Sequence, residues 1–291
     1  MAVYERNYGR YQGELTPPWS RFLILPRYAA RDVFDSRMFV AFYALCFLLP
    51  FAGLLMIYLH HNLAALKFID LPLDQLQAAL PINATFFRKG IEFQSWLCFL
   101  MALFVGPALV APDLRNNGLP LYLSRPFSRT EYVLGKMAVL VVLMSLVTWI
   151  PGLLLFLFQG YLEGAGWLGN NLRIGAAIFA GSWAWILVVS LVALAISAWV
   201  KWKPVARVSL LIVFFVLAGF AEALNAALDT WWGHLVSLST AMNQLWFSLF
   251  GQEPDERLAQ PVWAAWLTIV LGCALSLWLL SRRVRAYEVV R

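Results

Sequence analysis

Cysteine, histidine and charge are all scarce, and each scarcity closes off a class of function. The three cysteines of this 291-residue chain, Cys46, Cys98 and Cys273, all fall inside apolar runs and none forms a CxxC pair. A disulfide framework and a zinc site both lack support. The three histidines are His60, His61 and His234. On a helix His60 and His61 point about 100° apart, so no metal site is expected. Membrane proteases and metal enzymes need clustered His, Asp, Glu or Ser, and no such cluster is visible. The phosphate loop is missing as well. Gly135-Lys136 is followed by Met137, so there is no hydroxyl to hold magnesium, and no glycine stands at the required spacing upstream. The chain is expected to bind no cofactor and to be no enzyme by itself. Residues 1–37 hold no apolar core of signal-peptide length, so no cleaved signal is expected.

What is present is apolar surface. Hydrophobic residues make up 62% of the chain and charged residues 13%, with a mean hydropathy of +0.71. An ordinary soluble domain is not built this way. Five uncharged runs reach membrane-crossing length: Phe39–Leu59, Phe93–Pro112, Met137–Leu162, Ile174–Val200 and Leu258–Ser281. A sixth, Val208–Leu228, is interrupted only by Glu222. Crossing takes about 20 apolar residues, and the short alternating segments of a β-barrel are absent. The pattern predicts an all-α integral membrane protein with six transmembrane helices. Residues 1–37 form a tail with an interfacial helix, and residues 38–291 form the six-span domain.

The net charge of +6 is a topology signal rather than a nucleic-acid footprint. Seventeen of the 22 Lys and Arg fall on one side, leaving Lys67, Arg88, Lys89, Arg173 and Arg257 for the other. The positive-inside rule then puts both termini in the cytoplasm, with some of the basic excess available to anionic lipid.

The segments between spans carry their own expectations. After Pro26, the positions Tyr28, Ala29, Val33 and Phe34 fall at helical spacing opposite Arg27, Arg31, Asp32 and Asp35. That reads as a helix in the membrane interface, or as an extension of the first span. Leu71–Leu80 has the pattern of a short amphipathic helix. Asn83-Ala84-Thr85 matches a glycosylation acceptor, a match common by chance. Asp229–Arg257 is apolar and aromatic but too broken to cross, which suggests short helices dipping into the outer leaflet, with Trp231, Trp232 and Trp246 in the interfacial belt. Pro50, Pro107 and Pro151 lie inside spans and predict kinks. Small-residue pairs such as Ala177 with Gly181 and Gly272 with Ser276 permit close helix contact. Glu222 is the one acid within an otherwise apolar span. It either faces a cavity or partner helix, or marks the outer end of the span.

The segment from Asp113 to Lys136, DLRNNGLPLYLSRPFSRTEYVLGK, is basic, rich in turn formers and set between two spans. It shows an acidic residue, a Gly-Leu step and then a pattern running into span three. The matching residues are Asp113, Gly118, Leu119, Leu123, Ser124, Arg125, Pro126, Ser128, Arg129, Tyr132, Leu134, Gly135 and Lys136. In this pattern, and in its six spans with both termini inside, the chain resembles the membrane subunit of ABC-2 type transporters. It departs in having Arg115, Asn116 and Asn117 where family members often have several acids.

The resemblance implies a permease subunit that couples ATP hydrolysis by a separate ATPase to export of a lipid-like or amphipathic substrate. Segment 113–136 would be the cytoplasmic coupling element. Asp113, Asn117, Gly118, Leu119, Leu123, Arg125, Pro126, Ser128 and Arg129 are the residues expected to couple to the ATPase, Asn116 or Asn117 and then Ser128 capping helices. It further implies cytosolic ATPase subunits carrying ATP and Mg, a second permease copy or paralogue, and a bacterial inner membrane. Membrane lipids are further partners, and nucleic acid is not. Two other readings fit the same composition. One is a structural membrane-anchor subunit of a larger complex, and the other an ion- or proton-coupled carrier using Glu222.

Overall fold

The computed structural model describes residues 24–62, 81–116, 128–254 and 260–283. Among these residues there is no strand, and six helical stretches are long and apolar enough to cross a bilayer. They are span 1 (Arg37–His61), span 2 (Ala84–Asp113), span 3 (Arg129–Glu163), span 4 (Leu172–Trp199), span 5 (Lys203–Leu228) and span 6 (Val262–Arg283). Six such helices mark an integral membrane protein. The end that carries Asp113, Arg129 and Arg207 is called here the basic end. Leu71–Leu80 lies outside the described residues.

The helices run past the uncharged runs that announce them. Span 2 begins at Ala84, nine residues before Phe93, because Arg88 and Glu92 pair one turn apart at 2.9 Å and extend the helix through charged sequence. Asn83 caps it: its side-chain oxygen accepts from the N–H groups of Thr85 and Phe86 at 3.0 and 3.2 Å. Ahead of span 1, Ile24–Phe34 is a helix of its own, closed off before Ser36, whose hydroxyl accepts from the Phe39 N–H. Ala29, Ala30 and Val33 pack inward, whereas Tyr28 is 63% exposed. Of the expected apolar face, therefore, Tyr28 and Phe34 are exposed, with Phe34 edge-on to Phe39 and Tyr43.

Each in-span proline leaves a carbonyl four residues back without its donor. In span 1 the helix breaks at Cys46–Phe47, where Pro50 cannot serve the Cys46 carbonyl. In span 3 it breaks at Thr148, beside the carbonyl of Val147 that Pro151 leaves free. Span 2 does not break at Pro107. Arg207 of span 5 donates from Nε to the stranded Leu103 carbonyl at 3.1 Å, with its guanidinium 6.0 Å from the Phe104 ring centre. A side chain from another span thus completes the backbone bonding of span 2. Arg207→Leu is expected to destabilise the chain by about 1 kcal/mol. In a Pro107→Ala background, which restores the backbone donor, the same substitution should cost little. Thermal melts of the four forms check this.

Span 4 is the most buried and forms the centre, packing against spans 2, 3 and 6. Its contact with span 2 is close because Gly106 meets Ala193: a Cβ on Gly106 would stand 2.9 Å from the Ala193 Cβ. Spans 1, 5 and 6 are the least buried.

Between spans 5 and 6 the chain re-enters the protein. A single 3-10 turn, Trp232–Val236, packs back along span 5, and the helix Leu238–Phe250 climbs outward again. Leu238 meets Gly272, ten residues into span 6, a depth of roughly 15 Å. The break at Ser237 is fully buried and internally bonded. Its hydroxyl accepts from the Thr240 N–H at 3.2 Å, and Thr268 of span 6 donates to the Leu235 carbonyl at 3.3 Å. Irregular backbone is tolerated at such depth only where protein surrounds it. The expected short helices are present, and they pack deeper along span 6 than the sequence indicates. Two small residues make room for them. A Cβ on Gly181 would stand 2.9 Å from Trp246, and one on Gly272 would stand 2.7 Å from Leu238. Trp246 is therefore no belt residue. It is 5% exposed and packs on Trp185 at 5.6 Å. Trp231 and Trp232 stack on each other at 4.7 Å, and Trp232 is exposed.

Candidate functional site

Asp113, Ser128 and Arg129 are the described members of the expected coupling set. Asn117, Gly118, Leu119, Leu123, Arg125 and Pro126 lie outside the described residues. Ser128 caps span 3 in a reciprocal box. Its hydroxyl accepts from the Glu131 N–H at 3.2 Å, and its own N–H donates to the Glu131 carboxylate at 2.6 Å. Arg129 opens the helix and is exposed. Asn116 ends the short helix Ala111–Arg115 rather than starting one, its N–H donating to the Pro112 carbonyl at 2.9 Å.

Asp113 turns inward. Its carboxylate accepts from the Tyr132 hydroxyl at 2.8 Å and from the Lys136 ammonium at 2.9 Å. Tyr132 and Lys136 are four residues apart, so they share one face of span 3. Tyr132 is fully buried and Lys136 nearly so. The pair therefore ties the last turn of span 2 to the first turns of span 3, holding the two ends of the connector together. A cleft of about 470 Å³ beside it is lined by Asp32, Lys136, Lys203 and Arg207 among others.

Glu222 borders a second cleft, about 360 Å³, between spans 2 and 5 and backed by Trp185 of span 4 and the re-entrant helix. Its wall is a run of touching rings. Trp96 lies 5.2 Å from Phe215, Phe99 5.1 Å from Phe214, and Trp185 5.6 Å from both Phe214 and Trp246. Span 5 is π-helical there, over Ile212–Val216, a distortion often found at functional sites. Ser239 of the re-entrant helix donates to the Phe214 carbonyl at 2.9 Å. Two polar atoms along this wall, Asn243 Oδ1 and Trp246 Nε1, are buried with no hydrogen-bond partner among the described residues. Glu222 is exposed and makes no salt bridge or hydrogen bond among the described residues, whereas Glu92 across the cleft is held by Arg88. Glu222 thus lines this cleft six residues before the end of its helix at Leu228. Burial holds the nearby His234 imidazole below its ordinary pKa, with the Glu222 charge pulling the other way.

Two arginines fasten the outer end of the re-entrant helix. Arg88, 8% exposed, donates from Nε to Gln252 at 2.6 Å and lies 4.0 Å over the Phe247 ring. Gln252 in turn donates to Thr85 at 2.8 Å. Arg173 donates to the terminal carbonyls of Ser248 and Leu249 at 2.8 and 3.0 Å, a cation at a helix C-terminus. His61 and His60 take no joint role: His61 bonds Gln159 at 3.1 Å and lies 3.4 Å from Glu163. No cluster of three or more potential metal ligands occurs among the described residues.

Sequence reasoning missed the Asp113–Tyr132–Lys136 tie, although the four-residue spacing of Tyr132 and Lys136 was visible. It also missed Arg88, whose partners are far away in sequence. No protein-family model matches the chain, and no curated protein does.

Proposed function

We propose that the chain is the permease subunit of an ATP-driven exporter of the ABC-2 type, inserted with both termini and the basic end in the cytoplasm. The helix Ile24–Phe34 lies in the inner interface, and segment 113–136 is the docking element for a cytosolic ATPase. The observation that carries this reading is the tie of Asp113 to Tyr132 and Lys136. These are three residues of the pattern on which the resemblance rests. Holding both ends of the connector on one rigid pair of spans is what a lever needs: a push on the connector moves spans 2 and 3 together instead of bending a loop. ATP and Mg act on the partner, since this sequence has no phosphate loop. Each nucleotide state of the ATPase would have to favour a different arrangement of the spans. A second permease copy or a paralogue covers part of the apolar surface left by the weakly buried spans 1, 5 and 6.

The test is capture. A tagged chain purified from its own membrane is expected to bring down an ATPase with a phosphate loop. Arg125→Glu with Arg129→Glu is expected to reduce that recovery at least tenfold while the spans remain folded. Equal capture by both forms removes the docking assignment, and the absence of any ATPase removes the permease reading. Transport that survives ATP depletion but stops with Glu222→Gln would point to the coupled carrier instead.

A further inference from the structure

We propose that the cleft between spans 2 and 5 binds an organic cation, its charge met by Glu222 and its apolar body laid against the rings of Trp96, Phe99, Trp185, Phe214, Phe215 and Trp246. As an exported substrate the cation rests on the permease reading above; as a bound ligand it does not.

The charge balance points one way. Among the described residues, no lysine or arginine lines this cleft. Glu92 is answered by Arg88, which leaves Glu222 as the charge of this cleft without a partner among the described residues. Glu222 stands six residues, roughly 9 Å, inside the Leu228 end of span 5. A carboxylate at that depth is costly unless a partner or water meets it. A cationic ligand supplies such a partner.

The walls suit the same guest. Aromatic faces carry negative potential and attract cations, most strongly where water is excluded. A wall of six rings beside a carboxylate selects a large, weakly hydrated cation over a small metal ion. The volume of about 360 Å³ suits a ligand of drug-like size. The positive pole of the re-entrant helix does not oppose this. It lies at the deep end, where Ser239 bonds the Phe214 carbonyl, eight residues or roughly 12 Å along span 5 from Glu222, and the Ser237 hydroxyl already caps it.

Tetraphenylphosphonium and tetraphenylborate are near-identical in shape and opposite in charge. Equilibrium binding of each, measured separately on the purified full-length chain in nanodiscs, tests the proposal. The phosphonium is expected to bind saturably. Glu222→Gln is expected to weaken it about tenfold, equivalent to roughly 1.4 kcal/mol, and Glu222→Asp to restore most of the loss. Trp96→Leu is expected to weaken it as well. The borate is expected to show no loss with Glu222→Gln. The proposal is overturned if the phosphonium does not saturate, or if Glu222→Gln leaves its binding unchanged or weakens both ions alike. Should Glu222→Gln fail to purify as a monodisperse protein, the wild-type chain decides: saturable binding of the borate as tight as that of the phosphonium sinks the idea. The assay needs no ATPase. ATPase capture without cation selectivity removes this ligand class and leaves the permease reading standing, and selective binding without capture does the reverse.

Discussion

Asp113→Asn and Lys136→Met are each expected to lower the melting temperature of the purified chain by on the order of 10 °C, and the double variant to recover most of that loss. The reason is asymmetry. Both side chains are largely shielded, at 17% and 9% exposed, and lie 2.9 Å apart. Removing one leaves the other charge buried and uncompensated, which costs about 3–5 kcal/mol. In a chain of this size each kcal/mol moves the melting point by about 2–4 °C. Removing both leaves no orphan charge, so the double variant should fall well short of the sum. Tyr132→Phe, which deletes only the hydroxyl that donates to Asp113 at 2.8 Å, should cost about 1–2 kcal/mol. Strictly additive losses across the cycle would mean that the two side chains do not act as a pair.

The second large effect is expected at the opposite end. Arg88→Ala removes the ion pair to Glu92, the bond to Gln252 and the contact over Phe247 in one step. A destabilisation of about 3 kcal/mol is expected. It should also have a local signature. The outer end of the re-entrant helix would retain only Arg173 and the Gln252–Thr85 bond, so a cysteine placed at Ser248 should react faster with a water-soluble maleimide in Arg88→Ala than in the parent. Unchanged labelling would show that Arg88 does not restrain this helix. Glu92→Gln serves as the milder control, because it keeps the Arg88 bond to Gln252.

Much of the fold is legible in the sequence because the bilayer demands it. An apolar run of crossing length favours a helix, and the five uncharged runs and the sixth, interrupted by Glu222, all form helices. Where charges enter, the reading shortens: span 2 starts at Ala84 because a one-turn Arg88–Glu92 pair carries the helix through polar sequence. Kinks at Pro50 and Pro151 follow from the missing donors, but the unbroken helix at Pro107 depends on Arg207, 100 residues away. The same limit hides the site. Glu222 stands out as an isolated acid, yet the ring wall beside it is assembled from spans 2, 4 and 5 and from the re-entrant helix. Nothing local distinguishes Trp185 or Phe214 from residues that merely fill a core. Trp246 misleads for a similar reason: an aromatic outside the long runs resembles a belt residue until Gly181 is known to make room for it.

The buried turn at Ser237 has a consequence for how the protein is made. The turn is packed against spans 5 and 6, and its bond from Thr268 comes from span 6. While the ribosome is still producing residues 230–250, span 6 does not yet exist. The polar break then has no dry place to go, so it must wait near the water-exposed surface. Only after span 6 has been threaded can it sink to its final depth. Insertion of span 5 therefore does not complete the architecture around it, and a chain cut short before span 6 would leave that segment unburied.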